Sequence, residues 1–156
     1  MLLAFDPGKT TGFAWFDEDR FKVSGAGQVV MDVVPKLLKT FPRPKTILLE
    51  AFRVYPWKSA GLVWDNLPAP QVIGMIRSWA DECNVPIIEL PASVRKTITN
   101  DVLKAFKAWD MTAGMPHARD ATRHLLWYCR KEFPERFIEV LKERGSGVGT
   151  RERHSA

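Results

Sequence analysis

The sequence predicts one α/β domain built on a mixed five-stranded sheet, three antiparallel strands and then two parallel ones, flanked by helices. Three observations predict it. Short apolar runs separated by tight turns fill the first thirty residues, the pattern of an antiparallel meander. From Val33 to Leu90, helical and strand-like periods alternate, which implies parallel crossover units. After Leu90 the period is helical. A chain of 156 residues, 46% apolar and 26% charged, fits one soluble domain with a real core.

The elements follow in order. Leu2 to Phe5 is an apolar strand that Asp6 and Pro7 end, and Gly8-Lys9-Thr10-Thr11-Gly12 is a tight turn between glycines. Phe13 to Phe16 returns as a second strand, and the polar turn Asp17-Glu18-Asp19-Arg20 leads into a third, Phe21 to Val30. Val33, Val34, Leu37 and Leu38 fall at helical spacing, and the helix stops near Pro42 and Pro44. Lys45 to Glu50 is a fourth strand. From Pro70 a stripe of Val72, Ile73, Ile76, Trp79, Ala80 and Cys83 marks an amphipathic helix, and Val85 to Leu90 is the fifth strand. A helix is expected over Asp101–Trp109 with Asn100 as its N-cap, another from Pro116 to about Glu132, and a short last one from Pro134 to Arg144. The domain is expected over 1–144, and the basic, glycine-rich stretch 145–156 reads as a flexible tail.

Composition narrows the function. The formal net charge of +5 favours a polyanionic partner. Cys83 and Cys129 form no C-x-x-C pair, so neither a zinc site nor a disulfide framework is expected, only reduced core thiols. No run approaches the roughly 18 apolar residues of a membrane span, and no basic leader precedes the first strand. A cytoplasmic protein is the expectation. Gly-Ser-Gly-Val-Gly near the C-terminus lacks the spacing and the following helix of a nucleotide loop.

The chemistry lies in four residues. Two buried strands end in carboxylates, Asp6 and Glu50, and the helix opening at Pro116 carries His117 and Asp120 three apart on one side. Acids at the carboxyl ends of neighbouring strands face the crevice where ligands bind in open α/β sheets. Mg²⁺ and Mn²⁺ prefer such oxygen ligands, and a neutral imidazole can ligate or move a proton. In a basic protein the set points to phosphodiester cleavage. Taken singly, Asp6 also suits a Pro-Gly turn, and Asp120 suits a helix N-terminus. Glu50 is harder to place without function, because an acid ending a buried strand needs a partner.

In this order the motifs resemble the RuvC family of Holliday-junction resolvases, within the RNase H-like superfamily. The matching pieces are Asp6-Pro7-Gly8-x-x-Thr11-Gly12, Leu48-Leu49-Glu50, the helix around Gln71–Arg77 with the strand Val85–Leu90, the basic segment Pro91–Ile98, and His117-x-x-Asp120-Ala121. They span residues 1 to about 130. Asp-x-Gly-x-Thr also opens sugar kinases and actin-like ATPases, but those need two lobes around a nucleotide. The resemblance implies a homodimer that binds four-way junctions and makes paired nicks with Mg²⁺ or Mn²⁺, two ions per site. It implies Asp6, Glu50 and Asp120 as ligands, His117 as a ligand or proton carrier, and products with a 5′-phosphate and a 3′-hydroxyl. The chain departs from the family's pattern in a shorter first loop containing Lys9 and in lacking a glycine pair after Ile98. Those departures suggest a phage-type member, acting in a bacterium or an infected host cell.

DNA contacts are expected from Lys9, Arg53, Lys58, Arg95, Lys96, Lys104, Arg119 and Arg123, with Phe52 and Tyr55 as candidate wedges. Which of Arg95, Lys96 and Lys104 reaches the scissile phosphate stays open. Phe52, Tyr55, Trp57 and Trp64 fit a dimer contact or a core cap equally well. His124, seven residues after His117, is expected to be a supporting or surface residue rather than a ligand. The competing functions are an RNase H-like nuclease for flaps, other branched DNA or RNA–DNA hybrids, and a non-catalytic junction-binding dimer.

Overall fold

A computed structural model describes residues 1–53 and 67–145. Five strands form one sheet in the order β3-β2-β1-β4-β5. They are β1 (Leu2–Asp6), β2 (Thr10–Asp17), β3 (Lys22–Val30), β4 (Thr46–Glu50) and β5 (Ile87–Leu90). β1 pairs antiparallel with β2 and parallel with β4; β2–β3 is antiparallel and β4–β5 parallel. The expected mixed sheet is therefore the observed one.

Alternation along the two central strands sorts their side chains into two cores. Leu2, Ala4 and Leu48 face one cluster, with Leu103, Phe106, Leu125 and Phe137 from the later helices. Leu3, Phe5, Ile47 and Leu49 face the other, with Val34, Leu38, Val72 and Ile76. The second layer comes from α1 (Val34–Leu38) and α2 (Pro68–Glu82), the first from α3 (Asn100–Ala105), α4 (Ala108–Met111), α5 (Pro116–Glu132) and α6 (Pro134–Gly145). β1 is buried along its whole length, so a side chain at its tip leaves the core only into the crevice beyond.

Turns fix the meander. The Thr11 hydroxyl donates to the Gly8 carbonyl at 3.0 Å and closes the β1–β2 turn. At the next turn the Asp17 carboxylate accepts from the backbone N–H groups of Asp19 and Arg20 at 3.0 and 3.1 Å. Phe21 there has φ 48 and pays for that backbone by packing edge-on against Phe16, centroids 5.1 Å apart.

Three expectations are corrected. β5 begins at Ile87, not Val85: the Val85 N–H is held by the Ala80 carbonyl at the end of α2, and Pro86 has only its carbonyl to give the sheet. The helix expected over Asp101–Trp109 is two pieces, broken at Lys107 with φ 57. Phe106, the last residue before the break, packs against Phe137 at 4.8 Å and Phe21 at 6.3 Å. The N-cap of α3 is Thr99, whose hydroxyl accepts from Val102 N–H, and Asn100 is the first helical residue. The basic segment is a 3₁₀ turn, Ala92–Thr97, fastened to α5 by two hydrogen bonds from Arg130 to Thr97. The tail expected from 145 on lies, past Gly145, outside the described residues.

α5 crosses β1 and β2. Its first turn lies against Gly12, where an added Cβ would land inside the His117 carbonyl and only 2.6 Å from the Ala118 nitrogen. Backbone cannot yield as a flexible side chain can. Gly12→Ala is expected to cost about 3 kcal/mol in urea unfolding; a loss under about 0.5 kcal/mol would show that α5 is free to shift.

Candidate active site

Strand parity brings the acids together. Asp6 continues the Leu2, Ala4 side of β1, and Glu50 continues the Leu48 side of β4, so both point to the face that α5 covers. The β1–β4 register pairs Phe5 with Leu49, which leaves Asp6 and Glu50 side by side at the strand ends. α5 supplies the rest from above. Pro116 starts it, and the His117 N–H, one of the donors a helix start leaves over, donates to Gln28 Oε1 of β3 at 3.3 Å. His117 Nδ1 then lies 2.9 Å from Asp6 Oδ2. Donation from Nδ1 leaves Nε2 with its lone pair, ready to accept a proton or a ligand.

Cations brace the acids. The Arg95 guanidinium reaches Asp120 Oδ2 at 3.0 Å and Glu50 Oε2 at 3.3 Å. Arg123 donates to Asp120 Oδ1 at 3.0 Å and to Asn100 Oδ1 at 2.8 Å. Burial still dominates the electrostatics. Burial, and after it the Asp6 charge, push the Glu50 carboxyl up to about 7 despite the pull of Arg95. Asp6 is also raised by burial, against the lowering hydrogen bond from His117.

His124, one turn beyond Asp120, is fully buried, and burial followed by the Arg95 charge brings its pKa down to about 4. Its Nε2 is 3.3 Å from Glu50 Oε2, within ion-pair range, yet neither ring nitrogen reaches hydrogen-bond geometry. The carbonyls of Pro91 and Asp120 nearby raise the imidazole pKa only slightly against the burial.

The four predicted residues thus meet at the carboxyl ends of β1 and β4. Among the described residues no three acidic, His or Cys side chains are drawn into a closed cage, since Arg95 stands between Glu50 and Asp120. The donor set nevertheless suits a hard divalent cation: three carboxylates and one imidazole, with Glu50 and Asp6 held toward the neutral form unless positive charge joins them.

Two depressions flank the acids. One, of about 290 Å³, is lined by Glu50, Phe52, Arg53, Pro7, Pro91 and Ser93. The other, of about 480 Å³, is lined by Asp120 and by Arg95, Lys96, Thr99, Asn100 and Arg123. Phe52 is 41% exposed beside Glu50, as a stacking ring requires. Lys9 is exposed in the β1–β2 turn. Arg119 is turned elsewhere: it donates to Thr112 and stacks on Trp109 at 4.1 Å. Lys104 pairs with Asp101 and lies 6.0 Å from the same Trp109 ring. Tyr55, Trp57, Lys58 and Trp64 lie outside the described residues. The partners that the sequence did not signal are Gln28 and Asn100, the latter expected only as an N-cap. His124, expected from its spacing after His117 to be a supporting or surface residue, is fully buried.

No family model matches the sequence, and no curated protein does. Solved structures do match. Thermus thermophilus RuvC in complex with a Holliday junction substrate aligns with a TM-score of 0.56 over 84% of this chain and 95% of that one, at 16% identity. A second Thermus thermophilus RuvC structure gives 0.55 over 83% and 95%, at 15% identity. Fowlpox virus resolvase, in complex with its substrate Holliday junction DNA, gives 0.60 over 84% and 99%, at 11% identity. The chain has the RuvC-type fold. The RuvC resemblance carried by the motifs and the likeness of the RNase H-like sheet therefore meet in one architecture.

On this RuvC-type sheet the raised Glu50 pKa has a measurable consequence. Between about 4.5 and about 7 the folded protein holds a proton that the unfolded chain has lost, so each rise in pH there costs stability. His124 works the other way between about 4 and 6.5, because the folded state resists its protonation. Comparing Glu50→Gln with the wild type isolates the first effect. In chelator-treated buffer the variant should match the wild type near pH 4.5 and exceed it by up to about 3 kcal/mol above pH 7. A pH-independent difference in urea titrations would mean that Glu50 ionises normally.

Proposed function

We propose that this protein is a structure-specific endonuclease that resolves four-way DNA junctions. The observation that carries the proposal is the convergence of Asp6, Glu50, Asp120 and His117 at the carboxyl ends of β1 and β4, beside a depression lined by Arg95, Lys96 and Arg123, on a RuvC-type fold. Ions of the Mg²⁺ or Mn²⁺ class, two per site, would be held by the three carboxylates with His117 and would activate water while offsetting charge on the leaving oxygen.

The side chains divide the remaining work. Asp6 holds His117 by Nδ1, which aims Nε2 to ligate or to carry a proton. Arg123, fixed by Asn100, and Lys96 line the groove beside Asp120 and hold phosphates there. Arg95, already bound to two of the acids, is the cation nearest the scissile phosphate. In the other depression Arg53 takes the backbone of a departing strand, and Phe52 stacks on an unpaired base. Paired nicks across a two-fold junction call for a two-fold enzyme, so the working form is a homodimer in the cytoplasm. No helix among the described residues is long and apolar enough to cross a membrane.

Asp6→Asn should abolish Mg²⁺- or Mn²⁺-dependent nicking of a synthetic four-way junction and leave junction binding equal or tighter, because one repelling charge is gone. Undiminished cleavage would remove Asp6 from the mechanism. Flap, duplex and RNA–DNA hybrid substrates run beside the junction test the assignment: preferred cutting of any of them replaces it with another RNase H-like nuclease. Tight junction binding without cleavage under either metal replaces it with an architectural role.

Sedimentation of the protein with and without a junction should show a dimer. A monomer in both conditions rules out paired cutting by one assembly.

A further inference from the structure

We infer that His124 is a positioning residue that holds the Glu50 carboxylate in its cation-binding orientation. The inference rests on the reading of the acids as a divalent-cation site and assigns a role to a side chain which that reading leaves unused.

His124 has no exposed surface, and neither ring nitrogen reaches good hydrogen-bond geometry. A buried imidazole whose polar atoms are poorly satisfied is costly and calls for a reason. The carbonyls of Pro91 and Asp120 lie near the ring, and the side chain it meets in the site is Glu50, whose Oε2 is 3.3 Å from Nε2. The spacing on α5 explains the approach: Asp120 and His124 are four apart, so they lie on one side of the helix, with His124 a turn farther along it. The imidazole therefore stands against Glu50 from the core while Asp120 stands in the crevice.

The same oxygen is approached twice. Arg95 Nη1 is also 3.3 Å from Glu50 Oε2. Among the described residues no hydrogen bond or ion pair reaches Oε1. With Oε2 engaged by the imidazole on the buried side, Oε1 is the atom left to face a cation. A cation on Oε1 fixes the carboxylate in one orientation, and a carboxylate is a strong acceptor for the Nε2–H bond. Glu50 and His124 then close from 3.3 Å to hydrogen-bond geometry. Support of this kind beneath a metal-binding carboxylate tunes affinity by about 10–100-fold.

The test uses the whole protein and Mn²⁺ alone, without DNA. Free Mn²⁺ is followed by its EPR signal, and the melting temperature is recorded with and without the ion. His124→Leu keeps the bulk and removes the donor, and His124→Gln returns a donor near the position of Nε2. We expect His124→Leu to melt at or above the wild-type temperature in chelator and to need about 10–100-fold more Mn²⁺ for half-saturation. His124→Gln should recover most of that loss, and saturating Mn²⁺ should restore junction cleavage by His124→Leu.

Wild-type Mn²⁺ affinity in His124→Leu overturns the inference and leaves the cation site standing. So does a lowered melting temperature in both variants with Mn²⁺ affinity unchanged, the mark of a packing role. A wild type that binds no Mn²⁺ overturns the cation site itself, and this inference with it.

Discussion

Everything chemical in this molecule hangs on backbone meeting backbone at Gly12. β2 and the first turn of α5 come so close there that no side chain fits between them. That contact sets the height of α5 above the sheet, and so the reach of His117 to Asp6, of Asp120 to Arg95 and of His124 to Glu50. A helix standing an ångström higher would leave these pairs beyond hydrogen-bonding distance. The Thr11 hydroxyl, closing the preceding turn, holds Gly12 in its register opposite Asp6.

The same closeness creates an electrostatic problem that the chain answers only in part. Three carboxylates share a half-buried crevice, and the two arginines within bonding distance satisfy Asp120 better than the others. Glu50 and Asp6 remain raised, which is the signature of a site arranged for charge that arrives with a ligand. Stability is given up for readiness, as is usual where function is concentrated.

Much of this was legible in the sequence because apolar runs ending in Pro, Gly or an acid state both where a strand stops and what stands at its tip. Asp6 and Glu50 were found that way, and the spacing of His117 and Asp120 gave the facing helix. What was not legible depends on contacts between distant parts of the chain. No local pattern tells Arg95 to bridge Glu50 and Asp120, or Gln28 to receive the first turn of α5. Arg119 and Arg123 look equivalent at helical spacing, yet Trp109 and Thr112 draw the first away while Asn100 holds the second beside the acids. The break at Lys107 was hidden for a related reason: it follows Phe106, which packs against Phe21 and Phe137, far away on either side in the chain.

The wide separation of the site residues also has a meaning for the life of the chain. Asp6 is made first, Glu50 after it, and His117, Asp120 and His124 last of the set. No N-terminal fragment that stops short of α5, whether still on the ribosome or left by a protease, carries the full set of groups. If cleavage needs all of these groups, as proposed, the chain is silent until α5 is in place and again once α5 is lost, without an inhibitor to keep it so.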